Sequence, residues 1–201
     1  MTSLIKNSYS FANKNSIPWY IKADELIYAG TILRNISIEA KTKVNNLNEG
    51  VRIANSIEDK ILNDFSTFGQ ATMLIGFAIE NYLKGLWIEQ NNIFTDDLID
   101  KLPEQIKTHN LVSLAKSLNL ELEDHEINAL EFFTESVLWQ GRYPIPLFVS
   151  EYHKYFKTKP AYIIENGKKD SLPIELESLL IKIKFKINCN NIPLSNTIIK
   201  S

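Results

Sequence analysis

The sequence predicts an all-α fold, an antiparallel helical bundle, on three observations. Apolar residues recur at three- and four-residue intervals through most of the chain, the period of a helix with one buried face. Short turn-rich segments separate these stretches, which suits antiparallel neighbours. The chain has 201 residues, 44% apolar and 23% charged, which is enough to bury one core in one domain.

The elements follow in order. Residues 1–18 are polar and read as an irregular lead-in ending at Pro18. From Trp19, the residues Ala23, Leu26, Ile27, Gly30 and Leu33 fall at helical spacing, and a first helix is expected over 19–39. "NNLNEG" (45–50) breaks it, and Ile53, Ile57 and Ile61 mark a second helical stretch. The strongest pattern is 66–92, where Ser66 is a candidate N-cap and Ile75, Ile79, Tyr82, Leu83 and Leu86 share a face. Apolar residues on its other sides predict a central, many-sided helix. Gly69, Gly76 and Gly85 lower its helix propensity and are expected to mark close helix packing.

After Pro103, "THNLVSLAKSLNL" (108–120) predicts a short helix with Leu111, Leu114, Ala115 and Leu118 inward. One of Thr108, His109 or Asn110 is placed to cap it. The stretch 123–140 predicts another, with Asp124 as cap and Ile127, Leu130, Thr134, Val137 and Leu138 inward. Gly141 then stops it, and "RYPIP" turns the chain. From Pro173, Leu176, Leu179, Leu180, Ile183 and Ile187 fit a helix, although "IKIKFKI" (181–187) alternates like a strand. A helix is expected because the other elements are helical. The organisation read from this is a lead-in (1–18), a bundle (19–146) and a basic, aromatic extension (147–201) belonging to the same domain.

Composition excludes several function classes. The net charge of −2 gives no global basic field for nucleic acid. The lone Cys189 leaves no disulfide framework or cysteine metal cluster. His109, His125 and His153 form no metal-binding spacing, and neither a metal nor a cofactor is expected. No phosphate-binding glycine loop and no nucleophile elbow occurs. The apolar run "MLIGFAI" (73–79) is far shorter than the roughly 20 residues of a membrane span. With no apolar signal segment at the amino terminus, a cytoplasmic protein is expected.

Two sets of residues invite a functional reading. Glu80 and Lys84 interrupt the central helix four residues apart, the favoured order for an ion pair. The plainer reading, a solvated pair on the helix edge, outweighs a carboxylate and an amine aimed into a groove. His109 stands at a helix start, where it serves as a hydrogen-bonding anchor as readily as an acid–base group. The second set lies in the extension. Eight lysines between 154 and 186 face only four acidic residues and are interleaved with Tyr152, Tyr155, Phe156, Tyr162 and Phe185. His153, Lys154, Lys157 and Lys159 are its candidate phosphate contacts, against the plainer reading of a solvated basic flank.

Four features together resemble the HEPN domain, a helical-bundle family. They are "WYIKADELIYAGTIL" in the first helix, "AIENYLKGLWIEQ" (78–90), "THNLVSLAKSL" (108–118) and "GRYP" (141–144). The resemblance covers roughly residues 19–146 and rests on the order of these motifs rather than on any one of them. It implies an antiparallel bundle of four to five helices that commonly dimerises, with a groove that takes nucleotides or RNA, in bacterial defence, toxin–antitoxin or regulatory systems. A nucleotidyltransferase-type antitoxin is the protein partner it suggests. Active members are metal-independent RNases with an Arg-x4-6-His motif. This chain departs from that: Arg34, Arg52 and Arg142 all lack a His at the required spacing, and ten residues with two prolines separate Arg142 from His153.

What transfers is the set Glu80, Lys84, His109 and Arg142, expected to converge on one polar pocket. The resulting expectation is a homodimeric nucleotide-, RNA- or partner-binding module that lacks the usual RNase motif. Two alternatives stand beside it: a metal-independent endoribonuclease using His109 or His153 with Arg142, and a purely structural helical adaptor.

Overall fold

The structure is a computed structural model that describes residues 7, 11, 14–47, 67–91, 102–140 and 174–189. Five α-helices appear among them: α1 (Ile17–Leu47), α2 (Phe68–Asn91), α3 (Leu111–Ser117), α4 (Asp124–Glu135) and α5 (Ile174–Cys189). A short 3₁₀ turn (Glu104–Ile106) precedes α3, and a π-helical turn (Ser136–Gln140) extends α4. The described residues are helical with no strand, as the all-α reading requires. The stretch around Ile53, Ile57 and Ile61, Ser66 and Gly141 lie outside the described residues.

Helix α1 begins earlier and ends later than the 19–39 expected. Within the lead-in Asn7, Phe11 and Lys14 are helical, whereas Asn15 and Ser16 break the helical path just before α1. The Asn15 side chain accepts from the Ile17 amide at 2.9 Å and the Ser16 carbonyl accepts from Trp19 and Tyr20. Pro18 therefore sits inside the first turn, where its missing amide hydrogen would have had no intrahelical partner. The helix then runs to Leu47, through the start of the "NNLNEG" segment.

Helices α1 and α2 pack antiparallel. Thr67 touches the Leu33 carbonyl at one end, and Tyr20 touches Glu89 at the other. Two of the glycines make that approach possible. A Cβ on Gly30 would meet Ile75 Cγ1 at 2.8 Å, and one on Gly85 would meet Tyr20 Cε1 at 2.6 Å. Gly76 does the same for α4, where a Cβ would meet Val137 Cγ2 at 2.7 Å and the Phe133 carbonyl at 3.0 Å. The close-packing reading of Gly76 and Gly85 is thereby met. Covered on three sides, α2 buries Ile75, Ile79, Tyr82, Leu83, Leu86 and Ile88 at the centre of the core. Full burial of side chains this size stabilises by about 1.5–3 kcal/mol each.

Helix α3 buries Leu111, Leu114 and Ala115 as predicted, and Leu118 just past its end. Asn110 caps it, accepting from the Ser113 amide at 2.9 Å. Its far end closes on Asn119, whose φ of 51° is left-handed. The Asn119 and Leu120 amides donate back to the Lys116 and Ala115 carbonyls, the Schellman pattern, with Asn in place of the usual glycine.

Helix α4 is capped by Glu123, not by Asp124. The Glu123 and Glu126 side chains and backbone amides form a reciprocal capping box. Leu130, Thr134 and Val137 are buried as expected, but Leu138 is 43% exposed. The π turn explains the difference: its wider repeat advances each side chain less per residue, so Leu138 leaves the inward face. In α5, Leu176, Leu179, Leu180, Ile183 and Ile187 are all buried. That helical spacing settles 181–187 as helix rather than strand.

Polar contacts fasten α5. Glu126, with 0% exposure, accepts from Lys182 Nζ at 2.7 Å, from the Glu123 amide at 2.9 Å and from Ser178 Oγ at 3.2 Å. Burial pulls its carboxyl upward, but these hydrogen bonds and the Lys182 charge outweigh that and hold it below the ordinary value. Lys184 Nζ lies 3.5 Å from Asp24 Oδ1 and 5.2 Å from the centre of the Tyr82 ring. Tyr82 donates its hydroxyl to Asp24. Burial, then the Asp24 hydrogen bond and charge, push the Tyr82 phenol far above its usual range. Arg34 is buried within α1, and its guanidinium is lowered by that burial and partly restored by Glu177 of α5.

Candidate functional site

Glu80 projects from the middle of α2 one turn beyond Gly76, on the face that packs against α4. Both Glu80 and Lys84 are only 5% exposed. The sequence favoured a solvated edge pair, and the structure overturns this. The i,i+4 spacing specifies the pair but not its burial, which depends on what packs over that face of α2.

The pair is joined by His109. Glu80 Oε1 accepts from Lys84 Nζ at 2.7 Å, and Glu80 Oε2 meets His109 Nδ1 at 2.8 Å. Each carboxylate oxygen thus has its own cationic or N–H partner, which meets the requirement for a buried charge. Three of the four residues expected to converge do so: Glu80, Lys84 and His109. Arg142 lies outside the described residues, as do His153, Lys154, Lys157 and Lys159.

His109 is the residue that opens this cluster outward, its side chain 49% exposed against 7% for Glu80. Local structure fixes where it stands. Thr108 Oγ1 accepts from the Asn110 amide at 2.9 Å, a tight turn around His109. The amide of Leu111, first residue of α3, donates to Thr134 Oγ1 at 3.1 Å, and Thr134 donates in turn to the Leu130 carbonyl at 2.8 Å. His109 is therefore referenced to α2 through Glu80 and to α4 through its second neighbour.

An ionised Glu80 requires the hydrogen on Nδ1, which assigns the tautomer. Nε2, with no hydrogen bond among the described residues, is then an acceptor in the neutral ring and a donor in the protonated one. Lys84 neutralises Glu80, so among the described residues the cluster's outward charge depends on the imidazole. That arrangement can bind a polar or anionic group through Nε2, or take a proton from a hydroxyl placed there.

The extension's basic run reads differently in its described part. Lys182 is engaged with Glu126 and with Glu123 at 3.8 Å, Lys184 with Asp24, and Lys186 with the Asn119 carbonyl at 3.2 Å. These three lysines hold α5 in place, and their role as a phosphate track is correspondingly weakened. His125 is a surface residue 3.4 Å from Glu123. Glu126, Asp24 and Ser178 were missed by the sequence reading. Glu at the third position after a helix start was the one available signal, for Glu126.

Among the described residues no cluster of His, Cys, Asp or Glu could hold a metal ion, and no helix is long and apolar enough to cross a membrane. Compared with protein families, with curated proteins and with solved structures, the chain matches none.

Proposed function

We propose that this protein is a HEPN-like binding module for a nucleotide or RNA, working in a bacterial defence, toxin–antitoxin or regulatory setting. The observation that supports it is His109, half-exposed yet held at Nδ1 by a buried carboxylate that a buried lysine neutralises. A histidine that serves packing alone does not need its outward nitrogen presented in a fixed direction. Nε2 can accept from a base or a ribose hydroxyl, and on protonation can donate to a phosphate. Arg142, which matches the family's "GRYP" segment, supplies the permanent positive charge in this reading.

The test is binding of fluorescent oligoribonucleotides and of a nucleoside mono-, di- and triphosphate panel to the wild type, His109→Ala and Arg142→Ala. The expected result is binding that weakens with salt and falls at least about tenfold in each variant, a loss of roughly 1.4 kcal/mol. Equal binding by all three proteins sinks the proposal.

One observation favours a second reading. A carboxylate on Nδ1 with Nε2 outward is the orientation a general base needs, as in a metal-independent endoribonuclease with a divergent Arg/His site. Incubation with total RNA in EDTA separates the two. Cleavage that disappears in His109→Ala supports the enzyme; intact RNA alongside retained binding supports the module. Absence of both leaves the structural adaptor, with the Glu80–Lys84 pair acting only within the fold.

A further inference from the structure

Two described histidines have nearly equal exposure, 49% for the His109 side chain and 44% for that of His125, but unequal surroundings. His125 Nδ1 lies 3.4 Å from Glu123, a carboxylate itself 68% exposed, and water screens such a contact. His109 Nδ1 lies 2.8 Å from a Glu80 side chain that is 7% exposed. Out of water, that carboxylate holds the ring's hydrogen on Nδ1 and leaves the lone pair on Nε2. The Thr108 hydroxyl and the Asn110 cap fix the backbone on either side of the ring. Of the two, His109 is the one prepared to act as a nucleophile.

The charge of the cluster selects the electrophile. Lys84 Nζ sits 2.7 Å from the other oxygen of Glu80. The pair is neutral as a whole, so a dianionic group reaching Nε2 across the ring meets no net repulsion from it. Attack from Nε2 leaves a positive charge on the ring, and the nearer Glu80 oxygen stabilises that charge through the Nδ1 hydrogen. A phosphoryl group brings its own negative oxygens to the other side of the cationic ring. An acyl group brings none, and the site therefore favours phosphorus over carbon.

We propose that His109 is a phosphoryl acceptor, modified at Nε2 by a donor of the phosphoramidate class, in which phosphorus is already bound to nitrogen. The Nε2 lone pair attacks phosphorus and an Nε2–P bond forms. The donor's P–N bond breaks, and its electron pair passes to the departing nitrogen. From phosphoramidate itself that nitrogen enters as an ammonium and leaves as ammonia, while Nδ1 keeps its hydrogen on Glu80. One P–N bond replaces another, so the exchange balances without a further reactant. Glu80 is a positioning residue in this step, and Lys84 is its counter-charge. The proposal does not rest on the nucleotide or RNA reading, because phosphoramidate carries neither base nor ribose.

The full chain is incubated with phosphoramidate at neutral pH. Mass spectrometry of peptides kept alkaline locates the phosphoryl group, and phosphorus NMR distinguishes Nε2 from Nδ1 adducts. His109 is expected to react at Nε2 at least about tenfold faster than His125 in the same chain. His125→Ala leaves that reaction unchanged, and His109→Ala abolishes it. In urea the two histidines are expected to react alike, which ties the difference to the folded surroundings without any substitution. Glu80→Leu with Lys84→Met, which costs the fold much less than Glu80→Gln, is expected to bring His109 down to the His125 rate. It should also give Nδ1 adducts beside those at Nε2, a change of site that loosened packing alone does not produce. Three results overturn the proposal. One is a folded His109 no faster than His125, or faster by the same ratio in urea. Another is a wild-type adduct on Nδ1. The third is a double variant as fast and as selective as the wild type.

Discussion

Lys182→Met removes the one cation hydrogen-bonded to Glu126 among the described residues and keeps the length of the side chain. Glu126 then stays fully buried with the Glu123 amide and Ser178 hydroxyl as its remaining donors. Breaking a wholly buried ion pair costs about 3–5 kcal/mol. Lys182 is 34% exposed at its side chain, so water screens part of the interaction. The lost charge-assisted hydrogen bond, about 1.5–3 kcal/mol, is the better measure. For a chain of this size that lowers the thermal midpoint by roughly 3–12 °C.

The pH dependence carries a sign. The Glu126 carboxyl lies below its ordinary 4.5 when folded, so its contribution is complete above that value and is lost as pH falls through the lower, folded one. Lys182 is the mirror case. The Glu126 hydrogen bond, opposed by some desolvation and aided by the charges of Glu126, Glu123 and Glu121, holds its amine above 10.5. Its contribution is therefore complete below 10.5 and is lost as pH rises through the higher, folded value. The gap between wild type and variant should be flat from about pH 5 to 10 and close at both ends. Urea unfolding followed by tryptophan fluorescence and by circular dichroism across this range measures it. Equal midpoints at neutral pH, or a gap that widens in acid, would refute the reasoning.

Three further outcomes are expected. Glu80→Gln strands the buried Lys84 ammonium without its counter-charge and should cost about 3–5 kcal/mol in urea unfolding, whereas the joint replacement Glu80→Leu with Lys84→Met should cost much less. Gly85→Ala should destabilise by about 1–3 kcal/mol, because Tyr20 is pinned by its 2.6 Å hydrogen bond to Glu89 and cannot swing away; a calorimetric midpoint equal to wild type contradicts this. Asn110→Ala removes the α3 cap and should cost about 1 kcal/mol, with amide exchange at Ser113 accelerating more than at Leu130.

The sequence was legible where periodicity alone decides the outcome. The many-sided apolar pattern of α2 and the inward set of α3 followed from spacing, whereas in α5 the spacing also fitted a strand and the all-helical context decided for the helix. It was illegible where a third element intervenes. Nothing in "AIENYLKG" says whether Glu80 and Lys84 meet water or the neighbouring helices. The left-handed Asn119 lacks the glycine that advertises such a stop, and the π turn has no local signature that would have turned Leu138 outward. Of the candidate site, the membership of Glu80, Lys84 and His109 was readable because helix ends and polar interruptions stand out. Its electrostatic character was not.

Thr134 gives this site a remote lever. Its hydroxyl is shared between the first amide of α3 and a carbonyl of its own helix, so the turn that presents His109 is tethered to α4 by one oxygen. Thr134→Val would keep the shape of the core and cut that tether, leaving the Thr108 turn and Glu80 to aim the imidazole. In the binding role proposed above, substitutions at Thr134 would therefore retune the direction of the imidazole from a helix that holds it only through the first amide of α3.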